Sequence, residues 1–447
     1  MEKLDFCVPD ESDVLHIEGG KPLRGTIVVR GAKNLVSKAM VAALLSELPS
    51  ELRNVPNIRD VQVVSKLLRM HGARVTYDEN EGTVLVEPSH VELPDTQKVR
   101  EISETSRIPI LFCGPLLHRL RKAFIPSLGG DLIGNRPINF HIHALEQFGA
   151  VIGERTKQGF YITAPNGLHG AKVNLDYPSV GATEQVLLTA VLADGITELS
   201  NAAIEPEIMD LINILQKMGA IISVNTDRVI KIEGVDGLQG YTHTALPDRI
   251  ETASWAALAL ATQGNITIQG AVQSDMTTFL NVFRKVGGAF DISDDCIRFY
   301  SISDHLNPVA LETNVHPGFM TDWQQPMVIA LTQADGLSIV HETVYENRFQ
   351  FVQPLKKMGA NIQIYKECLG PTPCRFGAKN FEHSIAISGP TPLVGTNFLV
   401  PDIRGGFSHV IAALTASKES SVYGISLIDR GYENFREKLS AVNATFE

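Results

Sequence analysis

The sequence predicts an α/β protein of two domains, and three observations support this fold class. The chain has 447 residues, too many for one ordinary hydrophobic core, which suggests two domains of about 200 residues each. A helical segment that ends in Gly-Ala and runs into a short alternating strand recurs along the whole chain. A second kind of helix, rich in alanine and apolar on most sides, recurs in register with it.

The Gly-Ala segments follow one another at intervals of about 70 residues, and the second and last repeats are longer. A glycine or asparagine that ends a helix adopts the left-handed conformation, after which the chain can re-enter an extended strand. The residues expected to end these helices are Gly72, Gly149, Gly219, Gly288, Gly359 and Asn443.

The companion helices are expected to be buried on most faces, since alanine and aliphatic side chains surround them. A short strand follows each of them, so the repeat is helix, strand, helix, strand, and six copies divide naturally into three plus three. The segments are VSKAMVAALLSE, EQVLLTAVLADG, ETASWAALALATQG, MVIALTQADG and HVIAALTASKE.

The composition indicates a globular protein that handles small molecules. Hydrophobic residues make up 44% of the chain and charged residues 20%, and the net charge is -11. This acidity argues against general binding to nucleic acid or to a membrane surface, although a local cluster of arginines can still bind an anion. The longest apolar run, AMVAALL, is too short to span a bilayer, and the N-terminus lacks a signal sequence, so we expect a cytoplasmic protein.

The five cysteines indicate reduced thiols rather than a disulfide framework or a metal site. Their number is odd and no CxxC pair occurs. Cys368 and Cys374 share the segment ECLGPTPCRF, where zinc would need two further ligands that the neighbouring sequence does not supply. Neither a metal nor a cofactor is expected.

Two segments resemble anion-binding loops. In GAKN, Asn34 suits the N-cap of the first buried helix, which would place Lys33 at the positive end of the helix dipole. The glycine-rich segment PSLGGDLIGNRP, residues 126–137, carries Asp131 and Arg136, and Pro137 then begins a helix. A solvated lysine and an ordinary flexible loop are the alternatives, since neither segment matches a dinucleotide or phosphate-loop fingerprint.

Five further segments combine a carboxylate and an arginine, or a carboxylate alone, at the junction before a helix. Each could be a helix cap or a simple ion pair, but the repeats would bring equivalent junctions to one end of each domain. These residues are Asp322; Glu346 and Arg348; Asp402 and Arg404; Asp429, Arg430 and Glu433; and Asp248, Arg249 and Glu251.

The motifs GAKN, PSVGATE, LPDRIET, HPGFMTDWQ, ETVYENRF and IDRGYENF occur in this order, and with them the chain resembles the UDP-N-acetylglucosamine 1-carboxyvinyltransferase family of enolpyruvyl transferases. The similarity runs from about Ile17 to the C-terminus. It implies two inside-out α/β barrels of three repeats each, with an active site in the cleft between them. The implied domains are residues 34–247, with a catalytic loop at 126–137, and residues 1–33 joined with 248–447.

The resemblance implies transfer of enolpyruvyl from phosphoenolpyruvate to the 3'-hydroxyl of UDP-N-acetylglucosamine, with release of phosphate, as the first committed step of peptidoglycan synthesis. Catalytic roles fall on Lys33, Asp131, Asp322 and Arg430. The implied ligands of phosphate are Lys33, Arg136 and Arg430, those of the carboxylate are Arg348 and Arg404, and Glu346 and Asp402 position the arginines. Further substrate contacts are Asn34, Arg107, Pro137, Ile138, Asn139, Phe140, Tyr177, Pro178, Ser179, Val180 and Val344.

The chain departs from the family pattern at three positions. Asp131 stands where the family usually has a cysteine, so acid catalysis can persist while the epoxide fosfomycin, which alkylates that cysteine, should not inactivate the protein. Tyr177 replaces a frequent lysine and Ile204 a frequent arginine, changes that would weaken contacts to a diphosphate or shift the specificity for the nucleotide acceptor.

Three alternatives remain in view. A paralogue could transfer enolpyruvyl to another nucleotide, and a non-catalytic regulator could merely bind a nucleotide sugar. The retained Lys33, Asp322, Arg348, Arg404 and Arg430 count against the regulator. The shikimate-3-phosphate enolpyruvyl transferases share the fold and chemistry, but their serine-lysine-serine start and their GNAGTA-like motif are absent.

Overall fold

The computed structural model describes residues 13–103, 106–128, 138–371, 374–400 and 402–447. Its described residues form two compact units. One, the N-terminal unit, runs from Arg30 to Leu246, and the other, the C-terminal unit, joins the residues up to Val29 to Pro247–Glu447. No helix in the described ranges is both long and apolar enough to cross a bilayer.

The α-helices alternate with short strands along the chain. They are α1 (Lys33–Ala42), α2 (Arg59–Met70), α3 (Thr96–Ser103), α4 (Cys113–Leu120), α5 (Asn139–Gln147), α6 (Val180–Ala190), α7 (Pro206–Lys217), α8 (Arg249–Ala261), α9 (Thr277–Val286), α10 (Thr321–Leu331), α11 (Val352–Lys357), α12 (Ile403–Thr415) and α13 (Phe435–Ala441). Short 3-10 helices span Ala43–Leu45, Ile108–Phe112, Gln273–Met276, Arg348–Phe351 and Ile425–Arg430.

The strands are β1 (Val14–Glu18), β2 (Arg24–Val28), β3 (Ser50–Arg53), β4 (Arg74–Asp78), β5 (Thr83–Glu87), β6 (Lys122–Pro126), β7 (Val151–Ile152), β8 (Gly159–Thr163), β9 (Lys172–Asn174), β10 (Ile196–Ser200), β11 (Ile221–Val224), β12 (Ile230–Glu233), β13 (Thr242–Thr244), β14 (Asn265–Gln269), β15 (Gly288–Ile292), β16 (Cys296–Ser301), β17 (Ala310–Glu312), β18 (Gly336–His341), β19 (Ile362–Tyr365), β20 (Ser384–Gly389), β21 (Asn397–Leu399), β22 (Glu419–Tyr423) and β23 (Thr445–Phe446).

The N-terminal unit contains three sheets among its described residues, with strand orders β13-β3-β5-β4, β11-β12-β10-β9 and β6-β8-β7. Its core unites the apolar faces of these sheets with α1, α4 and α6. The residues of α6 from Ala182 to Ala190 are all buried, polar ones included. A helix buried on all sides is made mostly of small or apolar side chains, and the few buried polar ones of α6 need partners inside the protein.

The C-terminal unit also has three sheets in the part that the structure describes, with orders β21-β22-β1-β23, β15-β16-β14-β2 and β17-β18-β20-β19. The helices α8, α10 and α12 pack against one another, and every residue of α8 is buried. The first strands of the chain complete this unit, because β1 pairs antiparallel with β22 and β2 pairs parallel with β14.

The predicted repeat is confirmed, with one corrected position and one added strand. Gly72, Gly149, Gly219 and Gly359 have positive φ, and so does Asn443. In the fourth repeat the left-handed residue is Gly287, with φ of 112°, and not the predicted Gly288. Gly288 instead begins β15, where a Cβ atom would overlap the ring of Phe283.

Most repeats contain one strand more than the sequence indicated, because the strand after Gly-Ala forms a hairpin with a second one. Examples are β4 with β5 and β15 with β16. The companion helix of the second repeat, α4, was also missed, since it is short and follows the 3-10 helix Ile108–Phe112.

Candidate active site

Helix α1 places Lys33 at its positive end. The helix begins at Lys33, and its N-cap is Ala32, whose backbone N–H donates to the carbonyl of Leu246 at 2.8 Å. The prediction that Asn34 caps this helix is wrong, because Asn34 already lies in the first helical turn. Lys33 Nζ lies 2.8 Å from Asp60 Oδ2, and both side chains are largely buried. The carboxylate orients the ammonium group at a helix N-terminus, an arrangement that suits a phosphate.

Two predicted nucleotide-binding segments come together at the starts of α5 and α6. The first turn of α5 carries His141, whose Nε2 approaches Gly181 so closely that a Cβ atom there would lie 3.1 Å away. Ser179 caps α6 by accepting a hydrogen bond from the N–H of Ala182 at 3.4 Å. Ile138, Phe140, Tyr177, Pro178, Ser179 and Val180 are half-buried, and Asn139 is exposed.

Arg107 lies elsewhere in the same unit, at the residue before the 3-10 helix Ile108–Phe112, and its side chain is half-buried. Its backbone carbonyl accepts a hydrogen bond from Ile110 at 3.3 Å, which fixes the start of that helix. The position leaves the side chain partly accessible, as a substrate contact requires.

Sequence reasoning missed a buried ion pair between α1 and α6. Lys38 Nζ lies 3.5 Å from Glu184 Oε1, and the Glu184 side chain is only 4% exposed. Burial raises the pKa of the Glu184 carboxyl to about 7, with Lys38 opposing the shift and the carboxylates of Glu207 and Glu205 adding to it. A carboxyl poised near neutral pH can exchange a proton during a reaction. The signal in the sequence was a glutamate in a helix that is expected to be buried.

The C-terminal unit brings together three of the predicted junctions around Arg348. Its Nη2 donates to Asp322 Oδ1 at 2.6 Å, with the arginine side chain 2% exposed and the aspartate 20%. Burial by itself lowers the pKa of the Arg348 guanidinium, but the charges of Asp322 and Asp402, with smaller contributions from Tyr345 and Glu342, outweigh burial and raise it. The guanidinium is therefore held charged among several carboxylates.

Glu342 holds this arrangement in place and was not singled out from the sequence. Its side chain accepts hydrogen bonds from the backbone N–H groups of Val344 at 2.5 Å and Tyr345 at 2.9 Å. Its other oxygen accepts from the hydroxyl of Thr321 at 2.7 Å and from the Gln324 amide. A fully buried carboxylate thus ties the start of α10, beside Asp322, to the turn that leads to Arg348.

The remaining predicted residues of this unit lie near the start of α12. Asp402 accepts a hydrogen bond from the N–H of Gly405 at 2.9 Å and so caps the helix, and Arg404 lies in its first turn. The 3-10 helix that ends at Arg430 packs against α12, and Arg430 is half-buried. Glu346 and Val344 are half-buried in the turn after β18.

Other predicted residues have structural roles or lie outside the described ranges. Asp248 caps α8 by accepting hydrogen bonds from Ile250 at 2.8 Å and from the next N–H at 3.0 Å, which is the capping alternative. The catalytic-loop residues Asp131, Arg136 and Pro137 lie outside the described residues.

Comparison with known proteins decides the family. The family profile of EPSP synthase (3-phosphoshikimate 1-carboxyvinyltransferase) matches residues 17–439. The UDP-N-acetylglucosamine 1-carboxyvinyltransferase of Protochlamydia amoebophila is 47% identical to this chain over 97% of the chain and 93% of that protein. The chain belongs to this carboxyvinyltransferase family.

Further members of the family are similar in sequence to this chain over nearly its full length. The proteins of the same name from Chlamydia pneumoniae and Magnetococcus marinus are 42% and 38% identical, each over 97% of this chain and over 94% and 99% of their own length. Among solved structures, an enolpyruvyl transferase from Streptomyces tendae superimposes with a TM-score of 0.86 at 20% identity, covering 97% of this chain and 98% of its own. This likeness confirms the predicted fold class.

Proposed function

We propose that the protein transfers the enolpyruvyl group of phosphoenolpyruvate to the 3'-hydroxyl of UDP-N-acetylglucosamine and releases phosphate. The proposal depends above all on the 38–47% identity to carboxyvinyltransferases of that name across almost the whole of each chain. The Arg348 cluster supports it, because a buried, permanently charged guanidinium beside a carboxylate can bind an anionic substrate next to a proton acceptor.

The reaction needs an addition and an elimination. In the addition, the hydroxyl oxygen bonds to C2 of phosphoenolpyruvate, C3 gains a proton, and the hydroxyl proton passes to a base. In the elimination, phosphate leaves C2 and C3 returns a proton, which restores the double bond. The protein must therefore supply cations for two anionic groups, a base for a hydroxyl and an acid for carbon.

In this proposal Arg348 binds the carboxylate of phosphoenolpyruvate and Asp322 is the base. Arg348 Nη2 donates to Asp322 Oδ1 at 2.6 Å, so the proposed base lies directly beside the guanidinium that would bind the substrate carboxylate. Glu342 and Asp402 keep the surrounding turns in place.

The phosphate is assigned to Lys33, Arg136 and Arg430, and the second carboxylate ligand to Arg404. Lys33 has the support of its place at the N-terminus of α1, whereas the proton donor Asp131 is assigned from the sequence alone. The segments 138–140 and 177–180, whose helix starts adjoin, are assigned to the uridine diphosphate part.

The deciding experiment measures phosphate release from phosphoenolpyruvate by the purified protein with UDP-N-acetylglucosamine, with other nucleotide sugars and with shikimate 3-phosphate. We expect release that depends on UDP-N-acetylglucosamine and stops with Lys33→Ala. Faster phosphate release with another nucleotide sugar would make that molecule the proposed acceptor. Binding of the nucleotide sugar without any phosphate release would refute an enzymatic role.

A further inference from the structure

The end of β18 and the segment between β19 and β20 bring two cysteines and two histidines together in the C-terminal unit. Cys368 and Cys374 come from the segment, His341 ends β18, and His383 precedes β20. One donor atom from each of the four side chains lies within 4.8 Å of the others. Sequence reasoning searched beside the cysteines, but the histidines meet because β18 and β20 are antiparallel, with His341 opposite Ser384.

We propose that these four side chains bind one zinc ion as a structural site. This inference goes beyond the proposed function and does not depend on it. Two thiolates and two imidazoles are a ligand set that zinc prefers in closed, tetrahedral structural sites, and all four side chains are buried or half-buried.

The distances between the donor atoms fit a tetrahedral ion. Zinc–sulfur and zinc–nitrogen bonds of about 2.3 and 2.05 Å place two sulfurs about 3.8 Å apart and a sulfur and a nitrogen about 3.5 Å apart. Cys368 Sγ lies 3.6 Å from Cys374 Sγ and 3.4 Å from His383 Nε2. The sulfurs are too far apart for a disulfide bond and close to the spacing that a shared ion imposes.

Both histidines have one ring nitrogen fixed by a second group, which leaves the other for a metal. His341 Nδ1 lies 2.8 Å from Glu312 Oε2, and His383 Nδ1 lies 2.8 Å from the carbonyl of Phe381. A carboxylate or carbonyl on the far nitrogen is the usual partner of a zinc-binding histidine. His341 Nε2 is buried and meets no hydrogen-bond partner in the described part of the chain, a cost that a metal ion would remove.

The chain around the cysteines is shaped for close packing on this cluster. The backbone N–H of Phe376 donates to Cys374 Sγ at 3.4 Å, and such a donor stabilises a thiolate. At Gly370 a Cβ atom would overlap both the His341 ring and the Glu312 carboxylate, so only glycine allows the segment to lie against this pair.

A bound ion would also stabilise the turn that carries Val344 and Arg348. The N–H of Glu342 donates to the carbonyl of His383 at 2.8 Å, and the Arg375 guanidinium donates to the carbonyl of Val344. The two donor residues, Glu342 and Arg375, directly follow the proposed ligands His341 and Cys374 in the chain. Zinc would therefore fix the backbone at Glu342 and Val344, in the turn that leads to the predicted carboxylate-binding arginine, without contacting substrate.

The test is metal analysis of the full-length protein purified without chelators, by inductively coupled plasma mass spectrometry. We expect about one zinc per chain, and after exchange to cobalt the intense visible and thiolate charge-transfer bands of a tetrahedral site. Cys374→Ser and His383→Ala should lose most of the metal. Cys296→Ser, which changes a half-buried cysteine of β16 outside the cluster, should retain it.

A second measurement keeps the proposal refutable where a ligand variant fails to fold. In the parent protein, zinc should protect Cys368 and Cys374 from a thiol-alkylating reagent, and a chelator should expose them, while Cys296 reacts equally in both states. Three results would overturn the site: parent protein that binds neither zinc nor cobalt, a Cys368–Cys374 disulfide found by mass spectrometry, or full metal content in both ligand variants.

Discussion

Replacing Asp322 with asparagine removes the negative charge next to Arg348 and leaves the shape of the side chain nearly unchanged. In the parent protein Arg348 Nη2 donates to Asp322 Oδ1 at 2.6 Å, and the aspartate is 20% exposed. A hydrogen bond between charged groups contributes about 1.5–3 kcal/mol. The amide oxygen can still accept this bond, and Asp402 and Glu342 still face the guanidinium, so the loss of folding free energy should stay at or below that range.

The effect on catalysis should be much larger than the effect on folding. A positioned general base contributes about 10²–10⁴-fold to a rate, so kcat for phosphate release should fall by that factor in Asp322→Asn. The KM for phosphoenolpyruvate should not rise, because Arg348 remains charged and has lost a competitor for the substrate carboxylate. A role limited to holding Arg348 in place would raise this KM instead.

The assay is steady-state phosphate release with both substrates varied, accompanied by thermal unfolding. The control is Asp335→Asn, which changes an exposed aspartate of the same unit that lies 2.7 Å from His305 and outside the cluster. It should leave kcat within about twofold, since surface ion pairs contribute little. A kcat for Asp322→Asn within threefold of the parent value, in a folded protein, would refute the assignment of the base.

Three further outcomes are expected. Burial raises the pKa of the Glu184 carboxyl to about 7, above its value in the unfolded chain, so its ionisation destabilises the fold as pH rises from about 4.5 to 7. Between pH 5 and 8 the parent should therefore lose about 2.5 kcal/mol of unfolding free energy that Glu184→Gln does not lose, by denaturant titration. The surface variant Glu198→Gln should follow the parent. Fosfomycin should leave activity intact in the parent and inactivate Asp131→Cys, and rapid inactivation of the parent would contradict the reading of that position. Gly287→Ala should cost about 1–2 kcal/mol by thermal unfolding because φ is 112°, whereas Gly237→Ala, which meets no atom within 4 Å among the described residues, should be nearly neutral.

The repeat architecture could be predicted because its causes are local. A residue that ends a helix in the left-handed conformation is usually glycine or asparagine, and a helix buried on all sides is made mostly of small and apolar residues. Where two glycines adjoin, as at Gly287 and Gly288, local pattern cannot choose between them. In the structure Gly287 is the left-handed residue, whereas Gly288 is already in β15 and is needed because the ring of Phe283 leaves no room for a side chain there.

Local preference also failed at the start of α1, where the predicted N-cap was wrong. Asparagine is a frequent N-cap, so local preference favoured Asn34. The helix starts earlier because the backbone N–H of Ala32 donates a hydrogen bond to the carbonyl of Leu246, a residue from the far end of the unit. A long-range hydrogen bond of this kind leaves no trace in the neighbouring sequence.

By itself the sequence determined the six repeats, the three-plus-three division and the junctions where carboxylates and arginines recur, since these follow from local preference and composition. Only the tertiary structure decided which of those groups meet. It placed Asp322 and Asp402 around the buried charge of Arg348, moved the pKa of Glu184 towards neutrality, and set two histidines beside Cys368 and Cys374. The physical reason is that burial and the approach of distant charges depend on strand pairing and helix packing, which join residues far apart in the chain.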